Sequence, residues 1–260
     1  MNKKMRIKIL TALLMIAVAF PPVYFGGIWV RILMAVIAAI AAYEIASLQT
    51  GKPDWPMTVL NFAVMMAGLF LDSSYIAALS ASWLVILFVI ELFFDKNADF
   101  CAYTYVLTTV CFMALHSVGK IYSFQAGFRI MMFVLIACFV CDTMAYFCGV
   151  FLGKHKMIPH VSPNKTWEGA VGGYLFAAVL SIIYGLLACK ELPVSLVICA
   201  GLILPAVAEI GDLSFSSVKR RYEIKDFGNL FPGHGGALDR VDSIIFCLMV
   251  FSGILMIWGL

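Results

Sequence analysis

Nine stretches dominated by apolar residues punctuate the 260-residue chain, at about 7–24, 28–48, 57–71, 75–94, 101–118, 129–150, 168–189, 193–212 and 241–260. A bilayer core is spanned by about 20 apolar residues in a helix, with a range of roughly 17–25. Most of the runs fit that length. The 57–71 run is short, and 101–118 carries Thr104, Thr108, Thr109 and His116. Between the runs there is no room for a soluble domain. Composition agrees: 63% of residues are A, V, I, L, M, F, W, Y or C and only 13% are charged, against about half and about a quarter in soluble domains. Mean hydropathy is +0.99. These values exclude a soluble enzyme, a disordered chain and a nucleic-acid binder with a basic face. The expected fold is an all-α polytopic integral membrane protein of about nine transmembrane helices, with eight as the alternative.

Net charge is only +3, so distribution matters more than sum. With the N-terminus in the cytoplasm, nine spans put Lys3, Lys4, Arg6, Lys8, Lys52, Lys96, Lys154, Lys156, Lys165, Lys219, Arg220, Arg221, Lys225 and Arg240 on the inner side. Arg31, Lys120, Arg129 and Lys190 remain outside. A bias of this kind sets topology. It predicts cytoplasmic polar segments at 151–168 and 213–240 and an external Leu260. The charged start and Ala17-Val18-Ala19 also resemble a cleavable signal peptide, but an uncleaved first helix is the expectation. The eight cysteines lie nearly all in apolar runs. Cys138 and Cys141, spaced C-x-x-C, read as small hydrophobes rather than a metal or redox pair. Gly169 and Gly173 form a G-x-x-x-G, which suits close helix contact or ordinary packing.

Ionisable groups at membrane depth cost at least about 2.5 kcal/mol each on insertion scales, so each is a functional candidate. They are Glu44, Glu91, Asp142, Glu209 and Asp212. Glu44 and Glu91 sit near expected cytoplasmic ends, where interfacial placement accounts for them. Asp142, Tyr146 and Gly149, at i, i+4 and i+7, share one helix face. That face leads to Lys154, His155 and Lys156 and on to H-V-S-P-N-K-T-W-E-G at 160–169. Ser162-Pro163 reads as a turn, Thr166 with Glu168 as a helix start, and Trp167 as an interface anchor. Lys154, Lys156 and Lys165 suit either positive-inside anchoring or phosphate contact.

The densest polar region is 209–243. Glu209, Asp212, Ser216 and Lys219 fall at i, i+3, i+7 and i+10, a single stripe if the helix continues. Phe231-Pro232-Gly233-His234-Gly235-Gly236 cannot extend a helix and reads as a loop. Asp212 and Asp239 thus flank a basic, Gly-rich segment. Mg²⁺ takes carboxylate oxygens together with substrate phosphates, and positioning with charge neutralisation is most of what phosphoryl or nucleotidyl transfer needs. Asp239 equally suits a helix N-cap, and His234 a loop hydrogen bond.

The run S-V-K-R-R-Y-E-I-K-D-F-G-N-L-F-P-G-H-G-G-A-L-D-R-V-D, residues 217–242, resembles the motif of the phosphatidate cytidylyltransferase (CDP-diacylglycerol synthase) family. The upstream D-x-x-A-Y-F-x-G and S-P-N-K-T-W-E-G segments resemble it too. The resemblance implies transfer of CMP from CTP to phosphatidic acid, with Mg²⁺ and, as a second cation, K⁺. It assigns Asp212 and Asp239 to the metal, and Lys219, Arg220, Lys225, Asp226, His234, Arg240 and Asp242 to the catalytic motif. Substrate contacts are expected from Asp142, Tyr146, Ser162, Asn164, Lys165, Thr166, Glu168, Glu209, Ser216, Gly235 and Gly236. It implies a homodimer in a bacterial cytoplasmic (inner) membrane, with the site facing the cytoplasm and no nucleic-acid partner. Residues 1–125 would be scaffold and 126–260 the catalytic region. The rivals are a CDP-archaeol synthase, a polyprenol-kinase-like enzyme and a transporter.

Overall fold

In hydrocarbon every backbone N–H and C=O must be satisfied within the chain, which leaves the helix as the solution for runs of this kind. The computed structural model describes residues 3–231 and 235–260. Among the described residues there are nine α-helices: α1 (Lys3–Phe25), α2 (Gly27–Ala46), α3 (Trp55–Phe70), α4 (Ile76–Phe94), α5 (Ala98–Ile121), α6 (Gly127–Leu152), α7 (Trp167–Ala188), α8 (Val194–Arg221) and α9 (Leu238–Ile257). Seven are long and apolar enough to cross a membrane, α4 counted with the short 3-10 turn before it. The apolar parts of α1 and α3 are shorter, and α3 has 16 residues, about 24 Å of rise.

Two polar segments differ from expectation. Residues 213–240 are not one loop, because α8 runs unbroken to Arg221. Its polar stripe gives the helix a reason to continue past the apolar run. The Ser162-Pro163 turn is replaced by a strand. Here β1 (Lys156–Ile158) pairs antiparallel with β2 (Ser162–Thr166), Lys156 opposite Thr166 and Ile158 opposite Ser162. The turn falls earlier, where the Val161 N–H donates to the Ile158 carbonyl at 3.1 Å. In a two-stranded ribbon both strands are edges, and an edge tolerates a proline that lacks an N–H.

The chain divides into two compact units, 1–119 with 222–240, and 120–221 with 241–260. In the first, α1 carries Pro21 and Pro22 near its end and stops at Phe25, and positive φ at Gly26 and Gly27 turns the chain into α2. Asp54 caps α3 by accepting from the Met57 N–H at 3.2 Å and pairs with Lys96 at 2.6 Å. In the second, α6 and α7 pack backbone to backbone. A Cβ on Gly169 or Gly173 would lie 2.7 Å from the carbonyl oxygen of Ala145 or Cys141, so only glycine permits the approach. The G-x-x-x-G is therefore an internal helix contact. All eight cysteines are free thiols, and the Cys141 thiol donates to the Pro205 carbonyl at 3.4 Å.

Candidate active site

In the second unit, α8 supplies the expected stripe. Glu209, Ser216 and Lys219 are buried, while the Asp212 side chain is 31% exposed. Their spacing on a single helix explains the shared face. Lys165, from β2, reaches across to this face. Its Nζ lies 2.5 Å from Glu209 Oε2 and 2.7 Å from Asp212 Oδ2. Burial works against the Lys165 charge, but Asp212 and Glu209 more than offset it and hold its pKa above the ordinary lysine value. It is an ammonium in any physiological buffer.

Two further carboxylates stand within Coulombic reach of Asp212: Asp142 on α6 and Asp242 on α9. The Ser243 hydroxyl donates to Asp142 at 3.3 Å, and the Ser243 N–H donates to Asp242 at 2.9 Å. Asp242 also faces the charge of Lys219. Among the described residues, four carboxylates therefore stand near two ammonium groups, a clustering of acidic groups that a further cation would relieve.

The hairpin fixes where Lys165 starts. Thr166 caps α7 by accepting from the Gly169 N–H at 3.2 Å, as the sequence suggested. Glu168, in the first turn of α7, accepts from the Lys154 and His155 N–H groups at 3.1 and 3.2 Å and pairs with His155 Nδ1 at 2.6 Å. It is engaged with its own loop. The Arg220 Nε–H donates to the Val161 carbonyl at 3.2 Å, tying the end of α8 to the hairpin turn. Ser162 is half-buried, Asn164 is exposed, and Tyr146 is exposed and lies against Phe147.

In the first unit, the motif segment folds around two carboxylates. Asp239 Oδ2 accepts from the Phe227 N–H at 2.8 Å and the Gly236 N–H at 3.0 Å. Asp239 thus stands in the first turn of α9 and binds N–H groups that precede the helix. It is not the N-cap that one reading of the sequence expected, since an N-cap side chain accepts from the N–H two or three residues further on. Phe231 and Gly235 exchange backbone hydrogen bonds at 2.9 and 3.2 Å. Gly235 has φ +85°, and a Cβ there would lie 2.9 Å from Asp239 Oδ2. Lys225, Asp226 and Arg240 are exposed. His234 lies outside the described residues. The second carboxylate is Glu44, which sequence reasoning left at the interface. It is only 2% exposed and accepts from the Ala237 and Leu238 N–H groups. The available signal was an acidic residue inside an apolar run.

Seven long apolar helices, with buried carboxylates held against lysines in one unit and a glycine-rich motif segment folded on carboxylates in the other, define a polytopic integral-membrane protein with charged groups at membrane depth. Its kin are specific. The profile of the cytidylyltransferase family matches residues 6–258, and the chain belongs to that family. It is accordingly a nucleotidyltransferase. It is 29% identical over 259 residues to a phosphatidate cytidylyltransferase of Staphylococcus saprophyticus, covering 95% of this chain and 98% of that protein. The protein of the same name from Staphylococcus aureus is 29% identical over 260 residues, with the same coverage. That of Bacillus subtilis is 42% identical over 124 residues, 48% of this chain and 46% of that protein.

Proposed function

We propose that this cytidylyltransferase moves CMP from CTP to phosphatidic acid, giving CDP-diacylglycerol and pyrophosphate. One observation carries the reading: near-full-length similarity to proteins named for that reaction. The chemistry suits the site. A phosphate oxygen of the lipid attacks the α-phosphorus of CTP, the bond to the β-phosphate bridging oxygen breaks, and pyrophosphate leaves. The lipid phosphate is already ionised at neutral pH, so no strong general base is required. Lys165 and Lys219 supply the positive charge that phosphate oxygens need. The acyl chains stay in the bilayer, which is why a transferase can be almost entirely membrane helix.

A divalent cation fits the donor set. Among the described residues no three of His, Cys, Asp and Glu converge into a ready-made cage. Mg²⁺ rarely needs one, since it uses one or two carboxylates, waters and substrate phosphates. Asp212 is partly exposed and stands near the carboxylates of Asp142 and Asp242, and the family motif assigns Asp239 as well as Asp212 to the metal. Held by a carboxylate such as Asp212, Mg²⁺ would neutralise phosphate oxygens; K⁺ is the second cation by family resemblance. The site faces the cytoplasm of the inner membrane by the distribution of Lys and Arg. The pairing of Arg129 with Glu191 at the opposite end lowers the outer positive charge further. A homodimer is the assembly inferred from the family.

The test is pyrophosphate release in detergent micelles with CTP, Mg²⁺ and phosphatidate, each omitted in turn. Release that persists without phosphatidate, or that requires a polyprenol or an archaetidic substrate instead, overturns the reading.

A further inference from the structure

Glu44 is a carboxylate 2% exposed on an apolar helix, and the mechanism above does not use it. A charge so placed is costly unless every lone pair has work. Its partners are two backbone donors. Oε1 accepts from the Ala237 N–H at 2.8 Å and Oε2 from the Leu238 N–H at 2.9 Å. These are among the first N–H groups of a helix, which have no partner within it and which favour a negative charge. Local side chains usually fill that role. Here the cap comes from α2, 193 residues away in sequence.

The glycines around it show how closely the loop is held. A Cβ on Gly228 would lie 2.6 Å from Glu44 Oε1, and one on Gly236 would come closer still. Both backbone segments of the motif therefore lie directly on the Glu44 carboxylate. The next residues are Asp239, whose own carboxylate takes the Phe227 and Gly236 N–H groups, and Arg240. Four N–H groups are thus shared between two carboxylates, and the two ends of the motif loop cannot shift without breaking one of these bonds.

We infer that Glu44 is a positioning residue for the transfer reaction: it pins the backbone of 236–238, and through it the placement of Asp239 and Arg240. This rests on the proposed function for its kinetic consequence only. A shift of about 1 Å in a catalytic group can cost about 10²-fold in rate. Glu44→Gln keeps the shape but turns an amide N–H₂ towards one of the two N–H donors. Glu44→Asp keeps the charge but is one methylene too short to reach both.

The experiment measures hydrogen exchange of the intact protein in micelles, together with pyrophosphate release. Both variants should show faster exchange in peptides covering 227–240 and nowhere else, with unfolding midpoints lowered by roughly 2–10 °C and the transition still cooperative. For Glu44→Gln the kcat should fall about 10²-fold, with the KM for phosphatidate within about twofold. Unchanged exchange in 227–240 overturns the proposal. So does faster exchange with kcat intact, or a loss confined to KM. If Glu44→Gln does not fold, Glu44→Asp decides by the same readouts, and full turnover there is again fatal. An unsubstituted protein inactive towards phosphatidate overturns the functional reading alone, and the exchange data then still decide whether Glu44 anchors the loop.

Discussion

Replacing Lys165 by Met separates the structural from the catalytic worth of the charged cluster. Lys165 Nζ holds Glu209 at 2.5 Å and Asp212 at 2.7 Å, and the three side chains are 20%, 9% and 31% exposed. Methionine keeps most of the length and loses the charge. Asp212 is open enough for water to replace the ammonium, whereas Glu209 is not. Removing one partner of a buried pair costs about 3–5 kcal/mol, and with only Glu209 fully desolvated the lower end, about 3 kcal/mol, applies. That lowers the unfolding midpoint by roughly 6–12 °C at about 2–4 °C per kcal/mol. Turnover should fall by about 10²–10³, the usual effect of losing one preorganised group that faces developing charge. Adding Glu209→Gln to Lys165→Met neutralises the stranded carboxylate. It should restore at least half of the lost stability and none of the turnover. Thermal unfolding and pyrophosphate release in the same micelles read both quantities. An undiminished midpoint in Lys165→Met, or recovery of turnover by Glu209→Gln, would refute the reasoning.

Asp212→Asn and Asp239→Asn should each abolish turnover while the protein stays folded, and near-normal turnover at low Mg²⁺ in either variant removes that residue from the metal. Of the two, Asp239→Asn should also lose about 1–2 kcal/mol of stability, because its carboxylate accepts two backbone N–H groups. Lys219 is buried and Arg221 is exposed, so Lys219→Ala should lower kcat/KM for CTP by about 10²-fold or more and Arg221→Ala by only a few-fold. Equal losses would contradict the stripe geometry. A phosphatase fused after Leu260 should be active outside the cell, and a cytoplasmic C-terminus would mean an even number of spans.

The helices were legible because membrane depth demands long apolar runs, and each of the nine runs lies largely within one helix. The stripe on α8 was legible too, since Glu209, Asp212, Ser216 and Lys219 repeat at helical spacing and helix periodicity is local. What joins distant segments was not. Nothing in the sequence says that Lys165 crosses to Glu209, 44 residues on, because Lys165 equally suits a membrane anchor. The hairpin was missed because Ser-Pro usually signals a turn and its strands are only three and five residues long. Glu44 was read as interfacial since its position near a helix end admits water. Only the fold reveals that the Ala237 and Leu238 N–H groups lie against it.

The most direct measurement follows label in micelles containing phosphatidate, CTP and Mg²⁺. With CTP labelled at the α-phosphate, label should pass into the lipid phase as CDP-diacylglycerol. With CTP labelled at the γ-phosphate, it should stay in water as pyrophosphate. Label from the γ-phosphate appearing in lipid would mean a kinase, and the assignment as a phosphatidate cytidylyltransferase would fall.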